Sequence, residues 1–217
     1  MEITFIQQIA ISIIPLLFAI TLHEVAHGWV ASWCGDQTAR LSGRLSFNPI
    51  HHIDLVGTLV VPVLTLMTTG LVFGWAKPVP VDARNMARPR RDMALVAVAG
   101  PLSNLIMAIG WGAIAWLGLT LDGMQYSWLG APLALMGGAG MQINIWLGVL
   151  NLVPLPPLDG GRLLTCLLPP RLGYQLSLVE PYSFVILIFL LMTGLLSSIL
   201  WPIFITTLKL VSALFGL

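Results

Sequence analysis

Apolar residues gather in six stretches: Phe5–Trp33, Leu55–Val72, Met93–Leu121, Pro132–Val153, Leu178–Ile199 and Trp201–Phe215. A helix that crosses a bilayer needs about 20 predominantly apolar residues. The first, third, fourth and fifth stretches meet that length. The second is shorter and contains Gly57, Pro62 and Gly70, while the last opens at Pro202 and is short enough to close a hairpin with the fifth. Internal repeats, heptads and low-complexity linkers are lacking. The pattern predicts an all-α polytopic fold of about five to six hydrophobic segments. One piece reads differently: Phe73–Val81, with Pro78 and Pro80, suits a short extended edge strand whose prolines prevent a continuous ladder.

Composition identifies the solvent. Hydrophobic residues make up 57% of the 217 and charged residues 9%, against about 25% charged in a soluble domain. Mean hydropathy is +0.91. So few charges cannot cover a water-facing surface, and the chain is predicted to be an integral membrane protein. A net charge of +1 leaves no broad basic face for nucleic acid. Cys34 and Cys166 read as two free buried thiols rather than a disulfide framework. The N-terminus lacks the basic region and small-residue cleavage site of a signal peptide.

Lys and Arg positions then predict orientation. Arg40 and Arg44 follow the first stretch, Lys77, Arg84, Arg88, Arg90 and Arg91 precede the third, and Arg162 and Arg171 follow the fourth. The loop around Asp122–Ala131 has neither residue. This fits an N-terminus outside, with residues 34–92 and 154–177 cytoplasmic, provided Leu55–Val72 does not cross the membrane alone. A re-entrant element returning through Phe73–Val81 satisfies that condition; a plain transmembrane helix is the alternative. The short loops suit a bacterial or archaeal inner membrane.

The chemistry begins at His23-Glu24-Val25-Ala26-His27. Residues four apart on a helix share a face, so both imidazoles can hold one metal ion, and the glutamate can serve a metal-bound water as general base. Glu24 is the only charge inside the first apolar segment, and intramembrane ionisable groups are functional candidates by default. The alternative is a polar cluster that joins helices by hydrogen bonds.

A catalytic zinc takes three protein ligands and keeps one position open. The best third candidate is Asp159, which follows the fourth stretch in Asn151-Leu152-Val153-Pro154-Leu155-Pro156-Pro157-Leu158-Asp159-Gly160. Its prolines favour an extended or turned run, whose unpaired backbone could bind a peptide. A solvated loop aspartate before a glycine turn is the plainer reading.

Together these motifs resemble the site-2 proteases, the M50 family of intramembrane zinc metalloproteases. The likeness rests on H-E-x-x-H at His23–His27 and N-x-x-P-x-x-x-L-D-G at Asn151–Gly160. It extends to Gly100-Pro101-Leu102-Ser103-Asn104, similar to that family's G-P-x-x-N at the opening of the third segment. Asn48–Gly57 and Phe73–Pro80 resemble a compact bacterial branch without a PDZ domain. The resemblance covers most of residues 20–165. It implies a core of three helices around one zinc ion, with His23, His27 and Asp159 as ligands and Glu24 as catalytic base. Asn151 falls on the position credited with substrate or transition-state contacts, and His52, Asn104, Pro154 and Pro156 are weaker candidates for that role. The chain departs from the family's smallest members in a longer run between His27 and Asp159. It also has no recognisable PDZ or CBS module.

The resulting expectation is one membrane metalloprotease domain over residues 1–217. Its catalytic core spans about 5–165, and residues 178–217 form accessory segments. Its partners would be the bilayer and membrane-spanning substrates. Zinc would acidify a water and polarise the scissile carbonyl, Glu24 would move the proton to the leaving amine, and the substrate helix would unwind locally. Two rivals are a divalent-metal transporter using the same cluster and a proteolytically silent relative acting as a binding partner.

Overall fold

A computed structural model describes residues 4–54, 57, 60 and 76–217. Its long elements are α-helices: α1 (Phe5–Trp33), α2 (Thr38–Leu41), α3 (Pro89–Gly123), α4 (Ser127–Asn151), α5 (Asp159–Leu167), α6 (Pro170–Ser177), α7 (Ser183–Met192) and α8 (Leu195–Ala213). Short 3₁₀ turns lie at Pro49–His52, Ala83–Asn85 and Glu180–Tyr182. Five described stretches are long and apolar enough to cross a membrane: Ile6–Trp33, Pro89–Gly123, Ser127–Asn151, Pro170–Met192 and Leu195–Ala213. The protein is an all-α polytopic membrane protein. Side chains such as Ile6, Trp128 and Val185 stand exposed on the helices, as a surface solvated by lipid requires.

Local signals account for the helix ends. Thr4 caps α1 in a reciprocal box with Gln7: the Gln7 amide donates to Thr4 Oγ1, and the Thr4 amide donates to Gln7 Oε1. The structure moves the last break. The expected boundary lay between Ile199 and Trp201, with Pro202 opening the final segment. Instead the chain turns at Gly194, whose φ of 71° is open to glycine, and Pro202 lies inside α8. A proline φ is compatible with helix, and apolar surroundings tolerate a missing bond when the ladder around it holds. Pro101 likewise lies well inside α3 rather than at its opening, because that helix starts at Pro89.

Helices α3 and α4 form the tightest pair. A Cβ on Gly118 would fall 2.3 Å from the Ala134 nitrogen, and one on Gly137 would fall 2.4 Å from the Ala115 nitrogen. Close approach of backbones is how helices gain packing where lipid offers no hydrophobic driving force. On the other side of α4, Met141, Ile145 and Val149 pack with Leu187 of α7 and Leu196, Leu200 and Phe204 of α8. The C-terminal hairpin thus buttresses α4, while α1 lies against both α3 and α4.

Loops on either side of residues 55–75 meet at one end of this bundle. The Lys77 amide donates to the His52 carbonyl at 2.9 Å, and the Asp82 amide donates to Asp36 Oδ2 at 2.7 Å. Arg44 and the Lys77–Arg91 cluster are therefore on the same side. The Leu55–Val72 element lies outside the described residues apart from Gly57 and Val60, as do Phe73–Trp75 of the expected edge strand. The described part, 76–81, contains no strand. Pro78 and Pro80 have no N–H, and the amides of Lys77 and Val79 are taken by His52 and Glu24 rather than by a partner strand. Cys34 and Cys166 are free thiols, half-buried rather than buried.

Candidate metal centre

His23 and His27 sit four residues apart in α1 and face the same way, with rings 4.7 Å apart and nearly perpendicular. Opposite them stands Asp159. It does not close the fourth segment: α4 ends at Asn151, and Asp159 is the first residue of the separate helix α5. Gly160 and Gly161 let that helix close on the preceding loop, since a Cβ on either would fall 2.2 Å from the Leu152 oxygen or 2.1 Å from the Pro156 nitrogen. Pro156 thus lies directly against the first turn of the helix that carries Asp159. All three site residues are buried.

Three donor atoms converge. His23 Nε2 and His27 Nε2 are 3.1 Å apart and lie 3.2 and 3.3 Å from Asp159 Oδ2. The outer ring nitrogens fix the tautomers. His27 Nδ1 meets the Val96 carbonyl at 2.7 Å, and a carbonyl can only accept, so the proton is on Nδ1. The His23 tautomer is set by two side-chain amides. Asn144 Nδ2 donates to the Gly140 carbonyl at 2.8 Å, so its Oδ1 receives Asn104 Nδ2 at 3.0 Å. Asn104 then offers Oδ1 to His23 Nδ1 at 2.6 Å. In the neutral rings both Nε2 atoms then carry lone pairs, and they face Asp159 Oδ2, a buried oxygen with no hydrogen-bond partner among the described residues.

Such a set fits a cation. Zinc bonds of about 2.0–2.1 Å at tetrahedral angles set ligand atoms about 3.3 Å apart, close to the triangle observed. Two neutral imidazoles and a carboxylate are the ligand types zinc takes when a fourth position stays open. Room comes from Gly100 on α3, where a Cβ would fall 2.4 Å from His27 Nε2 and 2.5 Å from His23 Cε1.

Glu24 is half-buried beside the cluster, and its Oε2 accepts the Val79 amide at 2.8 Å. The weaker candidates fare differently. Asn104 touches His23 directly, its Oδ1 lying 2.6 Å from Nδ1 of that ring. Asn151 Nδ2 is turned onto the Leu147 carbonyl of its own helix at 3.0 Å. His52 is buried in the 44–52 loop, with Nε2 on the Ser46 carbonyl at 2.9 Å. Asn144, Val96 and Val79 were missed. For Asn144 the signal was available, since it is an amide two helical turns before Asn151 inside an apolar segment.

Known proteins align with most of this chain. The chain is 37% identical over 219 aligned positions to YwhC of Bacillus subtilis, a zinc metalloprotease by name, covering 94% of this chain and 91% of that one. The chain belongs to peptidase family M50. The family model itself matches residues 125–194, which include Asn151 and Asp159. Rip2 of Mycolicibacterium smegmatis, also a zinc metalloprotease by name, is 29% identical over 83% of this chain and 66% of its own. The regulator of sigma-E protease RseP of Escherichia coli is 31% identical over 49% of this chain and 25% of its own. No solved structure matches. This M50 chain is a membrane-embedded zinc metalloprotease.

Proposed function

We propose that the protein hydrolyses peptide bonds of membrane-spanning substrates at the His23–His27–Asp159 cluster, with Glu24 as general base. The observation that carries this is the convergence of His23 Nε2, His27 Nε2 and Asp159 Oδ2 at 3.1–3.3 Å from one another. His23, His27 and Asp159 would hold the zinc, which supplies Lewis acidity toward the scissile carbonyl and a more acidic water.

This chain's own residues do the rest. Asn104 and the Val96 carbonyl hold the two Nδ1 protons and so keep both rings aimed inward. Glu24 takes a proton from the attacking water as oxygen bonds to the carbonyl carbon. It delivers that proton to the amine nitrogen as the C–N bond breaks. Asn151, at the end of α4, would reach the substrate backbone after releasing Leu147.

The basic residues gathered at one end support a reading in which that end is cytoplasmic, the N-terminus is outside and the site is near the cytoplasmic face. Residues 5–165 form the catalytic core and 178–217 an accessory part, since α7 and α8 touch α4 without supplying a site residue. The test uses purified protein, a zinc measurement and a single-span membrane substrate. Glu24→Gln and a chelator should each abolish cleavage, and cleavage that survives both would overturn the reading. Zinc retained by Asp159→Ala would remove that residue from the ligand set.

A further inference from the structure

A catalytic carboxylate on a helix face must be held in one rotamer to meet its water, and Glu24 has no side-chain partner that does so among the described hydrogen bonds. What holds it is backbone. The Val79 amide donates to Glu24 Oε2 at 2.8 Å, which leaves Oε1 free to take a proton. Val79 belongs to the 76–81 strap, seated tightly on α1. Its side chain is buried. A Cβ on Gly28, four residues after Glu24 and so on the same face, would fall 3.0 Å from Val79 Cγ1 and 2.4 Å from Leu45 Cδ2.

The strap cannot hold itself, because Pro78 and Pro80 have no N–H. Its carbonyls are held instead by one side chain. Arg44 Nη2 donates to the Lys77 carbonyl at 2.8 Å and the Pro78 carbonyl at 3.2 Å, while Nη1 donates to the His51 carbonyl. The Lys77 amide returns a bond to the His52 carbonyl. A guanidinium, with several donors in a fixed planar fork, is well suited to serve three carbonyls from two chain segments at once.

We propose that Arg44 and the Val79 amide are positioning groups for the base: Arg44 pins the strap so that the Val79 N–H holds Glu24 in its working rotamer. This rests on Glu24 being the base.

The test compares wild type, Arg44→Gln, Arg44→Lys, Val79→Ala and Val79→Pro in zinc-loaded full-length protein, measuring zinc per chain and kcat and KM on the single-span substrate. Misplacing a catalytic group by about 1 Å can cost about 100-fold. Arg44→Gln and Val79→Pro should therefore lower kcat about 10- to 100-fold, with KM within about twofold and zinc retained. Val79→Ala keeps the N–H and loses side-chain packing, so its kcat should stay well above that of Val79→Pro. Arg44→Lys, with one ammonium, should recover only part of the loss. Unchanged kcat in Arg44→Gln and Val79→Pro would overturn the proposal. So would a raised KM with kcat intact, which would assign the strap to substrate binding, or zinc loss matching the activity loss, which would make it purely structural. If Glu24→Gln itself stays active, the base assignment fails first, and that outcome is separate from these.

Discussion

Asn104 Oδ1 accepts the Nδ1 proton of His23 at 2.6 Å, and both groups are buried within the membrane-spanning bundle. The bond is directional because two backbone carbonyls set it. Asn104 Nδ2 reaches the Ala19 carbonyl at 3.4 Å, and its partner Asn144 is oriented by Gly140. A histidine held this way presents Nε2 as a lone pair. Groups that orient a metal-binding histidine typically carry about 10- to 100-fold in metal affinity. Asn104→Leu should therefore weaken zinc binding by about that factor. Asn144→Leu, one bond further out, should cost less. Competition with a chelator of known affinity measures both.

Gly100 faces both imidazoles with no side chain. Gly100→Ala should suit helix α3 locally, since alanine is favoured over glycine there by about 1 kcal/mol. Its Cβ would nonetheless fall within 2.6 Å of His27 Nε2 and Cε1. The expected outcome is a folded, detergent-stable protein that has lost most zinc and activity. Melting temperature and zinc content measured together check this; full zinc occupancy in Gly100→Ala would contradict it.

Asp36, fully buried outside the spans, ties the end of α1 to the 82–85 turn. Burial would raise its pKa, but bonds from the Thr38 hydroxyl and amide, Asn85 Nδ2 and the Asp82 amide outweigh that and hold it below the usual carboxylate range. A lowered folded-state pKa means the stabilisation is present above the ordinary value of about 3.9 and is lost as pH falls through it toward the lowered one. Asp36→Asn should cost about 1–3 kcal/mol at neutral pH, and much less near pH 3. Thermal melts of both proteins across pH 3–7 give the difference.

Gly118 and Gly137 sit where α3 and α4 touch backbone to backbone. Leucine at either position cannot be placed without separating the helices, because the clashing atoms are main-chain nitrogens at 2.3 and 2.4 Å. Overpacking of this kind costs about 1–3 kcal/mol or more. Gly110 and Gly138, which face open space, should accept leucine with little loss. Unfolding in mixed micelles distinguishes the pairs.

Much of this protein is legible in local terms. A helix period of 3.6 puts His23 and His27 on one face whatever the rest of the chain does, and scarcity of charge names lipid as the solvent wherever the helices go. Asp159 was found because a carboxylate next to an apolar run stands out. Yet its placement at the head of a separate helix depended on Gly160 and Gly161 packing against the backbone of the preceding 152–156 loop. The C-terminal break could not be read from Pro202, because a proline and a glycine both signal interruption and only backbone conformation chooses between them.

The sequence by itself determined the membrane setting, the helical class and the four residues proposed for the chemistry, because composition and i,i+4 spacing act through short-range physics. Only the tertiary structure decided what holds those residues in place. The Asn104 bond to His23 spans 81 positions, the Val79 bond to Glu24 spans 55 and the Asn104 bond to Asn144 spans 40. Contacts that far apart in the chain exist only once the helices have packed, so they leave no periodic trace along it.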